Sequence, residues 1–203
     1  YTWTTPNAQK ISVMLEEIAL PYTVHVVSLP NGDQHGPAFL AVSPQAKVPV
    51  IVDRDGPDGT PLTVLESGAI LIYLAEKSGQ LLAHDGAERA AALQWLMFQM
   101  SGIGPTFHDF YYFVALAPER LPLAIEYFAQ ETTRVLGLLD AHLARHEFLA
   151  GAYSIADVTT FPWITAAMTG GVPGFEQLTH LKRWHAAIAA RPAVIRGMAV
   201  PRV

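Results

Sequence analysis

The run Ser43-Pro44-Gln45-Ala46-Lys47-Val48-Pro49-Val50-Ile51-Val52 sets a proline at the threshold of a β-branched segment. Val48, Val50, Ile51 and Val52 read as a buried strand. Proline at the first residue of a strand is tolerated because its missing N–H can lie outside the ladder. Two geometries are open at Val48–Pro49. A trans bond only blunts the strand end. A cis bond, which X-Pro peptides reach at small cost, turns the N–H and C=O of Val48 sideways. They then form a two-point backbone clamp for an extended, peptide-like ligand.

Downstream of that strand, Asp53–Pro61 is a loop rich in Asp, Gly and Pro. Thr63, Val64 and Leu65 read as a strand whose tight connection makes it antiparallel to the first. Glu66 and Ser67 follow, and then Gly68–Lys77, a helix apolar almost all round, with Gly79 as its C-cap. Upstream, Tyr1–Thr4 reads as the tail of a strand, and Thr5, Pro6 and Asn7 as a turn that starts a helix. Ala8–Leu20 carries Ile11, Met14, Leu15 and Ile18 on one face and Glu16 and Glu17 on the other, the pattern of an amphipathic helix ended by Pro21. Tyr22, Val24 and Val26 alternate with Thr23 and His25 as a half-buried strand. Pro30–Gly36 is a polar loop and Pro37–Val42 one short helical turn. The order is β-α-β-α-β-β-α, that of a thioredoxin-like domain over residues 1–78.

Residues 79–86 read as a linker, and 87–203 as an all-helical domain. Ala90–Met100 places Leu93, Leu96, Met97 and Met100 at helical spacing, and Gly102, Gly104 and Pro105 predict a break after it. Phe107, Phe110, Tyr111, Tyr112 and Phe113 form an aromatic cluster, expected mostly in the core or at a dimer contact. Pro122 opens a long helix to about Leu143, with Ile125, Phe128, Val135 and Leu139 inward. Ser154 and Asp157 have the spacing of a capping box, and Tyr153 stands before them as in a hydrophobic staple. Val158–Met168 follows as the central buried helix. Leu178–Ala190 and Pro192–Met198 complete the domain.

With 203 residues, 51% hydrophobic and 15% charged, the chain has material for one large domain or two small ones and is not a disordered sequence. A net charge of −5 with no Lys/Arg-rich run argues against a nucleic-acid surface. No apolar stretch is long enough to span a bilayer, and no signal-peptide pattern is visible. The sequence starts at Tyr1 inside an expected strand, so a few leading residues are expected before it. There are no cysteines, which excludes a disulfide framework, a thiolate metal site and a protein thiol nucleophile. Any sulfur chemistry must use a thiol carried by the ligand. His142 and His146 are spaced i,i+4 but lack a third ligand nearby, so no metal is expected.

Three motifs in this order carry a family resemblance: Lys47, Val48 and Pro49; Glu66, Ser67, Gly68, Ala69 and Ile70; and Tyr153 through Asp157. Together they resemble the glutathione S-transferase superfamily. The second is similar to its ESxAI ligand motif and the third to its folding N-cap motif. Thr5, Pro6 and Asn7, with Lys10, Ile11, Ser12 and Leu15, Glu16, Glu17, narrow the likeness to the bacterial nu-class glutathione-dependent disulfide-bond reductases. A fungal nitrogen regulator of the same fold is a more distant relative. Ala8 departs from the pattern, since those relatives often have Gly there. The likeness spans essentially the whole chain. It implies a thioredoxin-like N-terminal domain with an all-helical C-terminal domain, and a cytoplasmic homodimer. It also implies glutathione or glutathione disulfide as ligand and a small disulfide or an electrophile as second substrate.

Glutathione offers two carboxylates, an ammonium and a thiol, and the resemblance implies a group for each. The Val48 clamp beside Pro49 suits the cysteinyl unit. Ser67 opens a helix, where free N–H groups and the dipole favour an anion, so it suits the γ-glutamyl carboxylate, with Glu66 for the ammonium. Taken alone, Ser67 reads equally as a helix cap and Glu66 as a charge on the dipole. Gln34 and Lys47 reach toward the glycyl carboxylate or are solvated loop residues. Arg134 is a ligand-carboxylate contact or the partner of Glu131 one helical turn earlier. Thr5 and Asn7 lie where the thiol should sit; either can donate a hydrogen bond to a thiolate, and Asn7 can also cap the helix. Thr4 is the competing hydroxyl. The expected function is disulfide reduction by bound glutathione. The alternatives are conjugation of glutathione to electrophiles and a non-catalytic, glutathione-binding regulatory role.

Overall fold

Thr5 starts the first helix. Its backbone is extended, its Oγ1 accepts the Ala8 N–H at 3.3 Å, and Pro6 follows at the first helical position. In the computed structural model, which describes residues 1–203 apart from Gly171 and Pro173, this helix is α1, Pro6–Glu17. Ile11, Val13, Met14 and Leu15 are its buried face. It stops short of the expected Leu20 because Ala19 turns left-handed at φ 53°, and the Leu20 N–H returns to the Leu15 carbonyl at 3.0 Å. The helix α2 is Pro37–Leu40. Strands β1, Val50–Asp53, and β2, Leu62–Leu65, pair antiparallel with Val50 opposite Leu65. The helix α3, Ser67–Ser78, ends at Gly79, left-handed at φ 67°. The Val48–Pro49 bond is cis, as is Val200–Pro201.

The expected strands at Tyr1–Thr4 and Tyr22–Val27 are reduced to one parallel bridge, Thr2 to Val26. The inward phase is also shifted by one residue. Val24 and Val26 are 40% and 48% exposed, while Val27 is buried with Phe39 and Val50. The ladder still orders these segments as a thioredoxin-like sheet does. Thr2 donates to His25 and accepts from Val27, at 2.9 and 3.0 Å, on one side. On the other side Tyr1 and Val50 exchange hydrogen bonds of 2.8 and 3.2 Å.

The chain forms two compact units, Tyr1–Gln80 with Arg191–Val203, and Leu81–Ala190. The tail expected to close the helical domain therefore packs with the first unit. Its helix, which closes the chain as Pro192–Met198, lies against α1. Arg191 grips both carboxylate oxygens of Glu17 at 2.7 and 2.8 Å, and Arg196 Nε donates to Glu16 at 2.6 Å. Gly197 permits the approach: a Cβ there would stand 2.5 Å from the Val13 Cα.

In the second unit α4, Gly86–Phe98, runs through a π turn at Gln99–Ile103 into α5, Gly104–Tyr111. The break expected at Gly102 to Pro105 is thus a widened helical turn. Pro105 falls at the start of α5, where a missing N–H is tolerated, and a Cβ on Gly104 would crowd Gln99 Nε2 at 3.0 Å. Of the aromatic cluster, Phe107 is buried, Phe113 stacks on Phe128 at 5.5 Å, and Tyr111 and Tyr112 are exposed. The helices α6, Pro122–Leu143, α7, Ile155–Thr169, and α8, Thr179–Ala189, follow, and the closing helix Pro192–Met198 is then α9. Ser154 and Asp157 close the start of α7 as a reciprocal capping box. Tyr153 makes an edge contact with Phe148 at 5.4 Å.

Candidate functional site

The β1–β2 register brings the first-unit residues together. Val50 faces Leu65, so Val48 and Pro49 lie just before β1 on one strand and Glu66 and Ser67 just after β2 on its partner. The Val48 side chain is half-buried against the Val27, Phe39 and Val50 cluster. Neither its N–H nor its C=O has a hydrogen-bond partner among the described residues. Buried backbone groups are nearly always paired, so an unpaired donor and acceptor on one residue at the surface form a ready contact for an extended peptide.

Ser67 is the first residue of α3 and is 3% exposed. The preceding residue, Glu66, is exposed and has φ 66° and ψ 117°. A non-glycine residue held there costs on the order of 1–3 kcal/mol, and such strain collects at binding sites. No side chain caps this helix start. The positive end of the α3 dipole therefore lies at this turn without a side-chain cap, a disposition that favours an anion.

The α1 start joins the same place through Lys10. This residue is 0% exposed, and its Nζ donates to Ser67 Oγ at 3.2 Å. Burial lowers the Lys10 amine to about 7, against an opposing pull from the Glu66 carboxylate. In the sequence this residue stands out only as part of the family likeness. A signal was present in the sequence: Lys10 adjoins Ile11 and stands four residues before Met14, inside the apolar stripe of α1. One turn earlier lie Asn7, half-buried, and Thr5, whose Oγ1 caps Ala8 while no acceptor for its own hydrogen lies among the described residues. Thr4 is exposed.

Other expected contacts are not joined to this group by a bond. Lys47 is exposed, and its backbone N–H and C=O both bond to the Ser43 hydroxyl, at 3.3 and 2.9 Å. Gln34 Nε2 lies 3.3 Å from His35 Nε2, and its buried Oε1 has no partner among the described residues. Arg134 belongs to the second unit. There its guanidinium holds Glu131 at 2.8 and 3.0 Å, which keeps that carboxyl below its ordinary range. His142 and His146 stack at 4.1 Å, and His142 Nε2 lies 2.9 Å from the Leu149 carbonyl. No group of three or more His, Cys, Asp or Glu placed to hold a metal occurs among the described residues. A cleft of about 570 Å³ in the first unit is lined by Ile11, Leu15, His25, Ile51, Val52 and Leu74 among others. Pro49 reaches its wall, but Val48, Glu66 and Ser67 do not.

A small thioredoxin-like sheet domain followed by a helical domain is the architecture these elements define. The comparisons agree. The glutathione S-transferase N-terminal domain matches residues 4–77 and the C-terminal domain residues 105–192. This chain belongs to the glutathione S-transferase family. It is 44% identical over 191 residues to the disulfide-bond oxidoreductase YfcG of Escherichia coli (strain K12), covering 93% of this chain and 88% of that one. It is 37% identical to the disulfide-bond oxidoreductase YghU of the same organism, covering 100% of this chain and 74% of the relative. A glutathione transferase from Pseudomonas putida, solved with one glutathione disulfide per subunit, superposes with a TM-score of 0.92 at 45% identity, covering 99% and 90% of the two chains. One from Burkholderia graminis, with two glutathione molecules per subunit, gives 0.95 at 43% identity, covering 100% and 87%.

Proposed function

We propose that this protein is a glutathione-dependent disulfide-bond reductase of the nu-class type, acting as a homodimer in the cytoplasm. The observation that carries the reading is the unpaired N–H and C=O of Val48, two residues before β1, together with the uncapped start of α3 at Ser67, two residues after the partner strand β2. The relatives that hold glutathione or its disulfide support the ligand. The two oxidoreductases support the reaction.

In this reading Val48, turned by Pro49, pairs with the cysteinyl main chain. Ser67 and the α3 dipole take the γ-glutamyl carboxylate, and Glu66 takes the ammonium. Gln34 and Lys47 meet the glycyl carboxylate, and Arg134 a ligand carboxylate. The thiol falls at the α1 start. Donation from the Thr5 hydroxyl and the Asn7 amide favours the thiolate and lowers the thiol pKa. Neither residue is a base, and the reaction needs none. The bound thiolate attacks one sulfur of a disulfide; a glutathione–substrate disulfide forms and the other sulfur leaves as a thiolate. A second glutathione attacks the mixed disulfide, releasing the reduced substrate and glutathione disulfide. Two glutathione thiols are oxidised for each disulfide reduced, so a site able to hold two glutathiones or one glutathione disulfide suits the sequence of steps. A glutathione-rich, reducing compartment suits its direction.

The test compares two reactions in wild type and Asn7→Ala. The reading expects turnover of a model disulfide, a fall of about tenfold or more in the variant, and no conjugation of a chlorinated aromatic in either protein. Strong conjugation with negligible disulfide turnover makes the protein a conjugating transferase instead. Tight binding of glutathione by calorimetry with neither turnover makes it a regulatory binder.

A further inference from the structure

The first-unit cleft of about 570 Å³ has no part in the glutathione reading. Tyr1 and Thr2 are among its lining residues. Where they stand, one extended segment fills the space between Tyr22–Val27 and β1. Thr2 bonds to His25 and Val27 on one side, and Tyr1 to Val50 on the other. Beyond Tyr1 the two sides continue as walls of the cleft, Thr23 and His25 on one and Val52 on the other.

Both walls present main-chain groups that a strand would pair. Neither the His25 N–H nor the Thr23 carbonyl has a hydrogen bond among the described residues. Val50 turns its N–H and C=O to Tyr1, and residues alternate sides along an antiparallel pair, so those of Val52 point into the cleft as well. These are the next groups of the two existing ladders. The parallel ladder through Thr2 would next use Thr23 and His25, for the residue just before Tyr1. The antiparallel ladder through Tyr1 would next use Val52, for the residue before that. Two edges separated by twice the strand spacing, about 10 Å, accept a single strand. The Tyr1 ring stacks on His25 and packs near Phe39, so its upstream neighbour faces the other way. There Ile11 and Leu15 of α1 and Leu74 of α3 line the cleft with apolar surface. The Tyr1 amino group donates to the Val50 carbonyl at 2.8 Å, and burial holds it below the ordinary amine range. A peptide N–H makes the same bond without burying a charge.

We propose that this cleft is a strand slot, occupied by about three residues of the polypeptide upstream of Tyr1, with apolar side chains at the first and third positions before it. The occupant is fixed by continuity: the Tyr1 nitrogen lies on the line of the open groups, in register with both walls. The filled slot completes a central strand that leads through Tyr1–Thr4 into the Thr5 cap, and so anchors the start of α1. A strand from a second copy could use the same edges but would have to end against Tyr1. The inference does not depend on the ligand assigned to Val48 and Ser67.

The experiment compares three forms of the whole chain: one starting at Tyr1, one preceded by Val-Thr-Val, and one preceded by Pro-Pro-Pro, which has no N–H to give. Amide hydrogen exchange is followed at His25 and Val52, with denaturant unfolding beside it. The Val-Thr-Val form is expected to slow exchange at both amides about a hundredfold or more over the form starting at Tyr1, and to unfold at higher denaturant. The Pro-Pro-Pro form is expected to match the form starting at Tyr1. Folding of the Val-Thr-Val form alone also supports the slot. Equal exchange at His25 and Val52 in the Val-Thr-Val form and the form starting at Tyr1 overturns it, as does equal protection by the two extensions. Protection in the form starting at Tyr1 that grows with protein concentration assigns the slot to a second copy and overturns the proposed occupant.

Discussion

Two helix starts in this molecule are built in opposite ways. At α7 the protein closes its own helix end. Asp157, fully buried, accepts from the Leu149 N–H at 3.0 Å, the Ser154 N–H at 3.0 Å and Trp184 Nε1 at 2.8 Å, and the Ser154 hydroxyl returns to the first turn. Burial lifts the Asp157 carboxyl to about 6 against these donors, so at neutral pH it is the ionised form that satisfies them. At α3 the helix start has no side-chain cap, the residue before it sits at φ 66°, and a buried lysine lies beneath. Satisfying every donor internally yields a folding device. A start with no side-chain cap and a strained residue before it is what the proposed binding role would use.

Substitutions at the two ends should therefore separate stability from affinity. The largest effect is expected for Asp157→Ala, which strands three buried donors. Denaturant unfolding should show a loss on the order of 3 kcal/mol or more. Next is Ser67→Ala, which removes a hydroxyl but no cap. Glutathione affinity measured by calorimetry should fall about tenfold or more, as for a hydrogen bond to a charged group, with a smaller change in unfolding. Comparable losses of stability at both sites would erase the contrast. Thr5→Ala sharpens it, because this residue is cap and proposed thiolate donor at once. A loss of about 1 kcal/mol is expected from the cap alone. A fall in disulfide turnover in Thr5→Ala, with both properties restored in Thr5→Ser, would separate the two roles. The smallest effect belongs to Arg134→Ala. Its exposed pairing with Glu131 should leave the melting temperature unchanged, while the proposed ligand contact should appear as weaker glutathione binding.

What the sequence disclosed follows the distance over which each signal acts. The α7 start was legible because Ser154 and Asp157 are three residues apart and satisfy each other locally. The pairing of β1 with β2 and the glycine end of α3 were legible for the same reason. The tail was not. Arg191 finds Glu17, and Gly197 finds Val13, across most of the chain length, and α9 has an apolar pattern that fits either unit. Gly102, Gly104 and Pro105 misled because they sit in and just after a π turn, where a Cβ on Gly102 would crowd the Phe98 ring and one on Gly104 would crowd Gln99 Nε2. The strand at Tyr22–Val27 misled because its alternation placed Val24 and Val26 inward, whereas the contact with Phe39 selects Val27. Lys10 went unassigned because its meaning depends on Ser67, a partner 57 positions away.

The central claim is that Val48 and Ser67 grip one peptide, and a crystal structure of the whole protein with glutathione tests it directly. The expected result is a tripeptide whose cysteinyl N–H and C=O pair with the Val48 main chain and whose γ-glutamyl carboxylate rests on Ser67, its thiol facing Thr5 and Asn7. Glutathione bound elsewhere, with the Val48 main chain still unpaired, would contradict it.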